Sequence, residues 1–133
     1  MPEFRAPLDH IHFVLYEVLN APKLTELPGY EEATEDLVTA VLEEGARLCE
    51  QTLFPLNQSG DQEGCRFKDG AVTTPKGFRE AYRTFAEGGW PGMAADPEYG
   101  GQGLPHLVNF VMQELISAAN LSFGMYPGLS HGA

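Results

Sequence analysis

Gly88-Gly89-Trp90-Pro91-Gly92-Met93-Ala94-Ala95-Asp96-Pro97-Glu98-Tyr99-Gly100-Gly101-Gln102-Gly103 is the stretch from which the fold of this chain is read. It holds six glycines, two prolines and the only tryptophan. Glycine supplies backbone angles that other residues resist, and proline fixes φ, so together they specify a path of definite turns. Flexible linkers are rich in Gly and Ser and lack large aromatics. Here Trp90 and Tyr99 give the path something to bury, roughly 150–250 Å² for each packed ring. The pattern predicts a structured loop pinned between two helices, with close backbone approaches at Gly100, Gly101 and Gly103. An ordinary helix–helix connection around a packed tryptophan is the alternative these residues leave open.

The rest of the chain limits what that loop can serve. Its 133 residues suffice for one domain, and 43% of them are hydrophobic, enough for a core. Lys and Arg number 8 against 19 Asp and Glu, a net charge of −11. That balance argues against a nucleic-acid partner, which needs a clustered basic surface, and against docking on an anionic membrane. The acidic residues are spread over helical faces, as a solvated surface requires. Cys49 and Cys65 stand alone without a CxxC spacing, which fits a reduced, cytoplasmic protein. Residues 1–5 lack the basic start and apolar run of a signal peptide, and no apolar stretch is long enough for a membrane span.

Apolar spacing predicts a first helix over residues 7–20, with Leu8, Ile11, Leu15 and Leu19 on one stripe and His12, Val14 and Val18 widening it. His10 and His12 point to different faces of such a helix, so one metal ion does not see both. A second helix is expected over residues 31–56, with Glu31, Glu32, Glu35 and Asp36 in its first turns, where the helix dipole favours negative charge. Gly45 weakens its middle and allows another helix to pass closely. Pro55 is expected at its C-terminal end, and 57–64 reads as a polar loop. Asp69-Gly70 between two short runs signals a small hairpin. Thr74 and Pro75 are expected to cap and open a third helix, with Phe78, Ala81, Tyr82 and Phe85 as its buried face and Gly88-Gly89 ending it. Pro105 opens a fourth helix over 106–119, lined by Leu107, Val111, Leu115 and Ala118, with Val108, Met112 and Ala119 beside them. Glu114 falls at the edge of that stripe, where a carboxylate is either a base with a raised pKa or a structural partner. Asn120 can cap a new helix. Beyond it, Phe123, Met125, Tyr126 and Leu129 interleave with Gly124, Gly128 and Gly132. Large apolar residues beside small ones make a surface with hollows, suited to a bound apolar chain or to a close neighbouring helix.

No GxSxG elbow, HExxH, P-loop or metal spacing is present, and Gly100-Gly101-Gln102-Gly103 is not a dinucleotide fingerprint. Four scattered histidines complete no catalytic constellation.

The order of elements, however, resembles a known family. GWPGMAADPEYGGQGLP (89–105), the helix bearing Glu114, and AANLSFGMYPGLSHGA (118–133) closely resemble the N-terminal helical domain of the acyl-CoA dehydrogenases. DGAVTTPKGFREAYRTFAEGGW (69–90) fits the same family's approach to the loop, and APLDHIHFVLYEVLN (6–20) looks like the extra leading helix of its extended branch. The resemblance implies an all-α fold with a small β-hairpin, residues 1–22 as the leading extension and 31–133 as the main helical domain. Family members bind FAD and an acyl-CoA thioester. A glutamate removes the α-proton, hydride passes from the β-carbon to the flavin, and electrons go on to an electron-transferring flavoprotein. Such members continue into a central β domain and a C-terminal helical bundle that supplies the extended branch's catalytic glutamate. Neither lies within these 133 residues and Glu114 does not match that place, so no catalytic residue is carried over. The resemblance therefore implies part of a homo-oligomeric dehydrogenase that neither holds FAD nor turns over alone. The absence of a stop signal after Ala133 fits more protein following, or a partner covering this face. By the same resemblance, Phe123, Tyr126 and Ser130 are the substrate-binding candidates, lying along the acyl chain. The rival expectation is a free-standing helical interaction module that self-associates or binds a partner through its apolar face.

Overall fold

The computed structural model describes residues 3–131, with side chains to Leu129. Helix α1 (Leu8–His12) runs directly into a π-helical stretch, Phe13–Val18, where the Leu19 N–H reaches the Val14 carbonyl at 2.9 Å. Ile11 and Leu15 are its buried residues. Asn20, at φ 54°, turns the chain into a 3₁₀ segment, Ala21–Glu26, which accommodates Pro22 in its first turn. Asn tolerates this left-handed conformation better than most residues, so it ends the helix two residues before the proline.

Helix α2 (Glu35–Leu48) starts four residues later than the charge pattern suggested. Thr34 sets the start: its hydroxyl accepts the Leu37 N–H at 3.4 Å, while Glu35 and Asp36 occupy the first turn. Glu31 lies in the preceding turn, where its carboxylate accepts the Gly29 N–H at 2.9 Å. Past Leu48 the helix widens into a second π-helical stretch, Cys49–Leu53, and then re-forms as α3 (Pro55–Glu63). The expected polar loop over 57–64 is therefore wrong. Pro55 opens α3, because a first-turn N–H has no helical partner to lose. Gly60 holds α3 in place: the Phe78 ring lies where a side chain would be, with Cε2 2.5 Å from a Cβ built there. Glu63 accepts the Lys76 N–H at 2.9 Å.

Strands β1 (Arg66–Lys68) and β2 (Ala71–Thr73) form the expected hairpin, with Phe67 opposite Val72. Asp69 at φ 51° and Gly70 at φ 79° make the two left-handed positions that a tight hairpin turn needs. Helix α4 (Phe78–Glu87) begins at Gly77, and Thr74 does not cap it. Phe78, Ala81 and Phe85 are buried, whereas Tyr82, expected inside, is exposed.

The glycine-rich loop folds back on itself. Gly92 O accepts from Gln102 N at 2.9 Å, Met93 O from Leu104 N at 3.0 Å, and Ala95 O from Gly103 N at 3.0 Å. The Asp96 carboxylate takes the Glu98 N–H at 2.8 Å, and the Gln102 amide reaches the Gly89 carbonyl at 2.9 Å. Gly101 is a close approach, because a Cβ there would land on the Ala95 carbonyl. Gly103 makes a looser approach, a Cβ there lying 3.0 Å from the Pro97 ring, and its φ of 65° also favours glycine. Gly100 has open space around it and needs glycine for its φ of 84° instead. Met93 and Leu104 anchor the loop in the core with half-buried Trp90. Tyr99, expected to be an anchor, is 83% exposed on the outer 3₁₀ turn.

Helix α5 (His106–His131) crosses this assembly against α2, the π-helical stretch and α3. Its inward face is Val108, Met112, Leu115, Ile116, Ala119 and Phe123. The face is rotated from the expected stripe: Leu107 and Val111 are half-buried and Ala118 is exposed. Gly45 gives the predicted close passage, with the Met112 sulfur 2.5 Å from a Cβ built on it. Burying a large apolar side chain such as Met112 contributes about 1.5–3 kcal/mol to holding this helix in place.

Candidate functional site

A hollow of about 570 Å³ lies between the hairpin, α4 and the last third of α5. Val72, Phe78, Tyr82, Phe123 and Tyr126 make it aromatic and apolar, and Thr73, Thr74 and Arg79 add a polar side. Phe123 is fully buried and forms the floor. Its ring centroid lies 6.1 Å from Phe78, 6.4 Å from Tyr82, 5.7 Å from Phe85 and 6.5 Å from Tyr126. Phe85 meets it edge-on at 80°, an arrangement favoured by the ring quadrupoles.

The floor is placed by a kink. Asn120 leaves helical geometry at φ −160°, ψ 87°, and divides α5 into two runs. Its Oδ1 accepts the Phe123 N–H at 3.0 Å and the Ser122 hydroxyl at 2.9 Å, so it caps the second run. Its Nδ2 donates to the Leu53 carbonyl at 3.0 Å. That carbonyl is available because the Asn57 N–H turns to Phe54 O, one residue further along. Both polar side-chain atoms of Asn120 are thus used in a residue only 1% exposed.

Tyr126 stands at the groove wall, 38% exposed, with its hydroxyl 3.5 Å from the Cys65 sulfur. The hydrogen bond with Cys65, partial burial and the charge the thiol can carry all push the phenol above its ordinary range. Cys49, buried at the start of the π-helical stretch, has its thiol pushed up to about 12, mainly by burial and secondarily by Glu50. Neither cysteine is in a disulfide.

Two of the three sequence candidates, Phe123 and Tyr126, meet in this groove; Ser130 lies outside the described side chains. Sequence reasoning missed Val72, Thr73, Thr74, Arg79 and the facing pair Phe78 and Tyr82 as lining. The i, i+4 spacing of those two aromatics was the available signal. Glu114 is exposed on a separate hollow between α1 and α5, which shares no lining residue with the aromatic groove. Among the described residues no three His, Cys, Asp or Glu side chains are grouped to hold a metal, and no helix is long and apolar enough to cross a membrane.

Residues 35–133 match the family described as acyl-CoA dehydrogenase, N-terminal domain. The chain is 36% identical over 130 residues to the 3-methylmercaptopropionyl-CoA dehydrogenase of Ruegeria pomeroyi, covering 98% of this chain and 22% of that protein. It is 32% identical over 127 residues to the butyryl-CoA dehydrogenase of Syntrophomonas wolfei, covering 92% and 21%. Identity to the broad-specificity linear acyl-CoA dehydrogenase of Mycobacterium tuberculosis is 28% over 130 residues, covering 96% and 21%. The chain thus spans about a fifth of the length of these curated relatives. With its helical architecture, its structured glycine loop and the match over residues 35–133, the chain belongs to the acyl-CoA dehydrogenase family as an N-terminal helical domain.

Proposed function

We propose that this chain supplies one wall of the acyl-binding site, and a packing face for further domains, in an FAD-dependent dehydrogenase of acyl-CoA thioesters. The observation that carries the proposal is the aromatic groove, which gathers Phe123 and Tyr126 with Phe78, Tyr82 and Val72. An acyl chain gains about 0.8 kcal/mol per methylene removed from water, and a floor of rings offers that without unpaired polar atoms. Ser130 is retained as a candidate on the family resemblance alone. The flavin and the catalytic base lie on polypeptide beyond these residues, so the chain alone is inactive and does not retain FAD. An electron-transferring flavoprotein is the electron acceptor, and the complete enzyme is a homo-oligomer in a reducing cytoplasm, which fits the unpaired Cys49 and Cys65. Residues 1–22 are the leading extension of the extended branch and 31–133 the main helical domain.

The outer side of α5 supports the packing role. Glu114 is the one Asp, Glu, Lys or Arg in its 26 residues, and Phe110, Leu121, Met125 and Leu129 are exposed along it. A helix this apolar is normally covered on all sides. The same face favours a second reading, a module that self-associates. Sedimentation of the 133-residue chain as a monomer at all concentrations argues against it.

The wall itself is tested with a photoreactive acyl-CoA analogue carrying a diazirine on its acyl chain. After irradiation of the full-length protein, peptide mapping is expected to find label between Phe123 and Ser130. Label on the facing residues 72–82 also fits the groove, and label found in neither segment overturns the assignment.

A further inference from the structure

We propose that Asn120 is a positioning residue that sets the depth of the acyl groove, an inference that rests on the acyl-wall assignment above. The backbone breaks at Asn120, so the first run of α5 does not fix the direction of the second. That direction is fixed by two groups of bonds made by one side chain. The Oδ1 atom holds the Phe123 N–H and the Ser122 hydroxyl; the Nδ2 atom holds the Leu53 carbonyl. Leu53 ends the π-helical stretch, immediately before α3. The groove floor is therefore registered against the α2–α3 junction, where the Asn57 N–H turns to Phe54 O and leaves the Leu53 carbonyl to Asn120. Burial leaves no water to replace a lost partner, so any change at Asn120 moves the run that carries Phe123 and Tyr126. A displaced floor changes how many methylenes the groove accommodates.

The discriminating variant is Asn120→Asp in the full-length protein. A carboxylate still accepts the Phe123 N–H but cannot donate to Leu53 O. The ratio of kcat/KM for octanoyl-CoA to that for butyryl-CoA is expected to change by about fourfold or more, the value of one buried methylene. Ser122→Ala removes a single bond to the same Oδ1 from an exposed position and is expected to shift the ratio in the same direction, by about twofold. It decides the matter should Asn120→Asp not fold. Leu42→Ala serves as a destabilised reference in the core, away from the kink. A lowered melting temperature with the wild-type ratio in the Asn120 and Ser122 variants overturns the inference, as does an equal shift in Leu42→Ala. A wild-type protein that turns over neither thioester overturns the acyl-CoA assignment itself, which separates the two failures.

Discussion

Adjacent glycines in the central loop need to be glycine for different reasons, and that difference has a measurable size. Gly100 has no atom near the position of a Cβ, but its φ is 84°. Alanine there incurs the left-handed penalty of about 1–2 kcal/mol, part of which the stiffer unfolded chain offsets, for a net loss of about 0.5–1 kcal/mol. Gly101 has no such φ, but a methyl group there meets the Ala95 carbonyl carbon and oxygen and the Ala95 Cβ. Those atoms are backbone or fixed to it, so no rotamer change relieves the clash. The same carbonyl accepts the Gly103 N–H at 3.0 Å, a bond the displacement breaks. Overpacking of about 1–3 kcal/mol plus a lost hydrogen bond of about 1 kcal/mol gives a total near 3 kcal/mol. With a urea slope of about 2 kcal/mol per molar, Gly100→Ala lowers the midpoint by about 0.3–0.5 M and Gly101→Ala by about 1.5 M. Trp90, the single tryptophan, sits in the loop and reports its unfolding by fluorescence, with far-ultraviolet circular dichroism following the helices. Equal midpoints, or the larger loss at Gly100, would refute the steric account of the loop.

Other consequences follow from the same geometry. Gly60→Ala gains up to about 1 kcal/mol of helix propensity but drives a methyl into the buried Phe78 ring, for a net loss of about 1 kcal/mol by chemical denaturation; a stabilised variant contradicts the packing assigned to α3. In the folded protein at pH 8, Cys65 reacts with a thiol reagent and Cys49 does not, whereas urea exposes both; native labelling of Cys49 contradicts its burial. Because folding raises the Cys49 thiol from 9.0 to about 12, its contribution to stability is intact below pH 9 and is lost as the pH rises toward 12. Replacing Cys49 with alanine therefore flattens the alkaline decline in stability, and an unchanged slope counts against the shift. Thr34→Ala removes the cap of α2 at a cost of about 0.5–1 kcal/mol, with fraying at residues 35–38 visible by hydrogen exchange.

Features governed by short-range chemistry were legible in the sequence. Asp69-Gly70 specified the hairpin and Asn120 the cap of a new helical run, and the helix-weakening Gly45 marked one long-range feature, the close passage beneath Met112. Features governed by tertiary packing were not. The π-helical stretches at Phe13–Val18 and Cys49–Leu53 leave no mark in a 3.6-residue pattern, because one extra residue per turn merely shifts the stripe. Helix α3 has the composition of a loop, and its tertiary setting, against α5 and with the Phe78 ring on Gly60, is not written in its own residues. Two of the eight residues lining the groove, Phe123 and Tyr126, were readable as apolar residues set among glycines after Asn120. The other six come from the hairpin, the turn after it and α4, about 40–50 residues earlier in the chain, and only the fold brings the two groups together.

The most direct measurement is an anaerobic titration of the purified full-length protein with acyl-CoA thioesters, followed through the flavin absorbance. A helical wall belonging to a flavin-dependent thioester dehydrogenase predicts a bound flavin that bleaches with substrate, and a Tyr126→Ala variant that keeps its flavin but needs more thioester to bleach. A full-length protein without flavin, or with a flavin that no acyl-CoA reduces, contradicts the account.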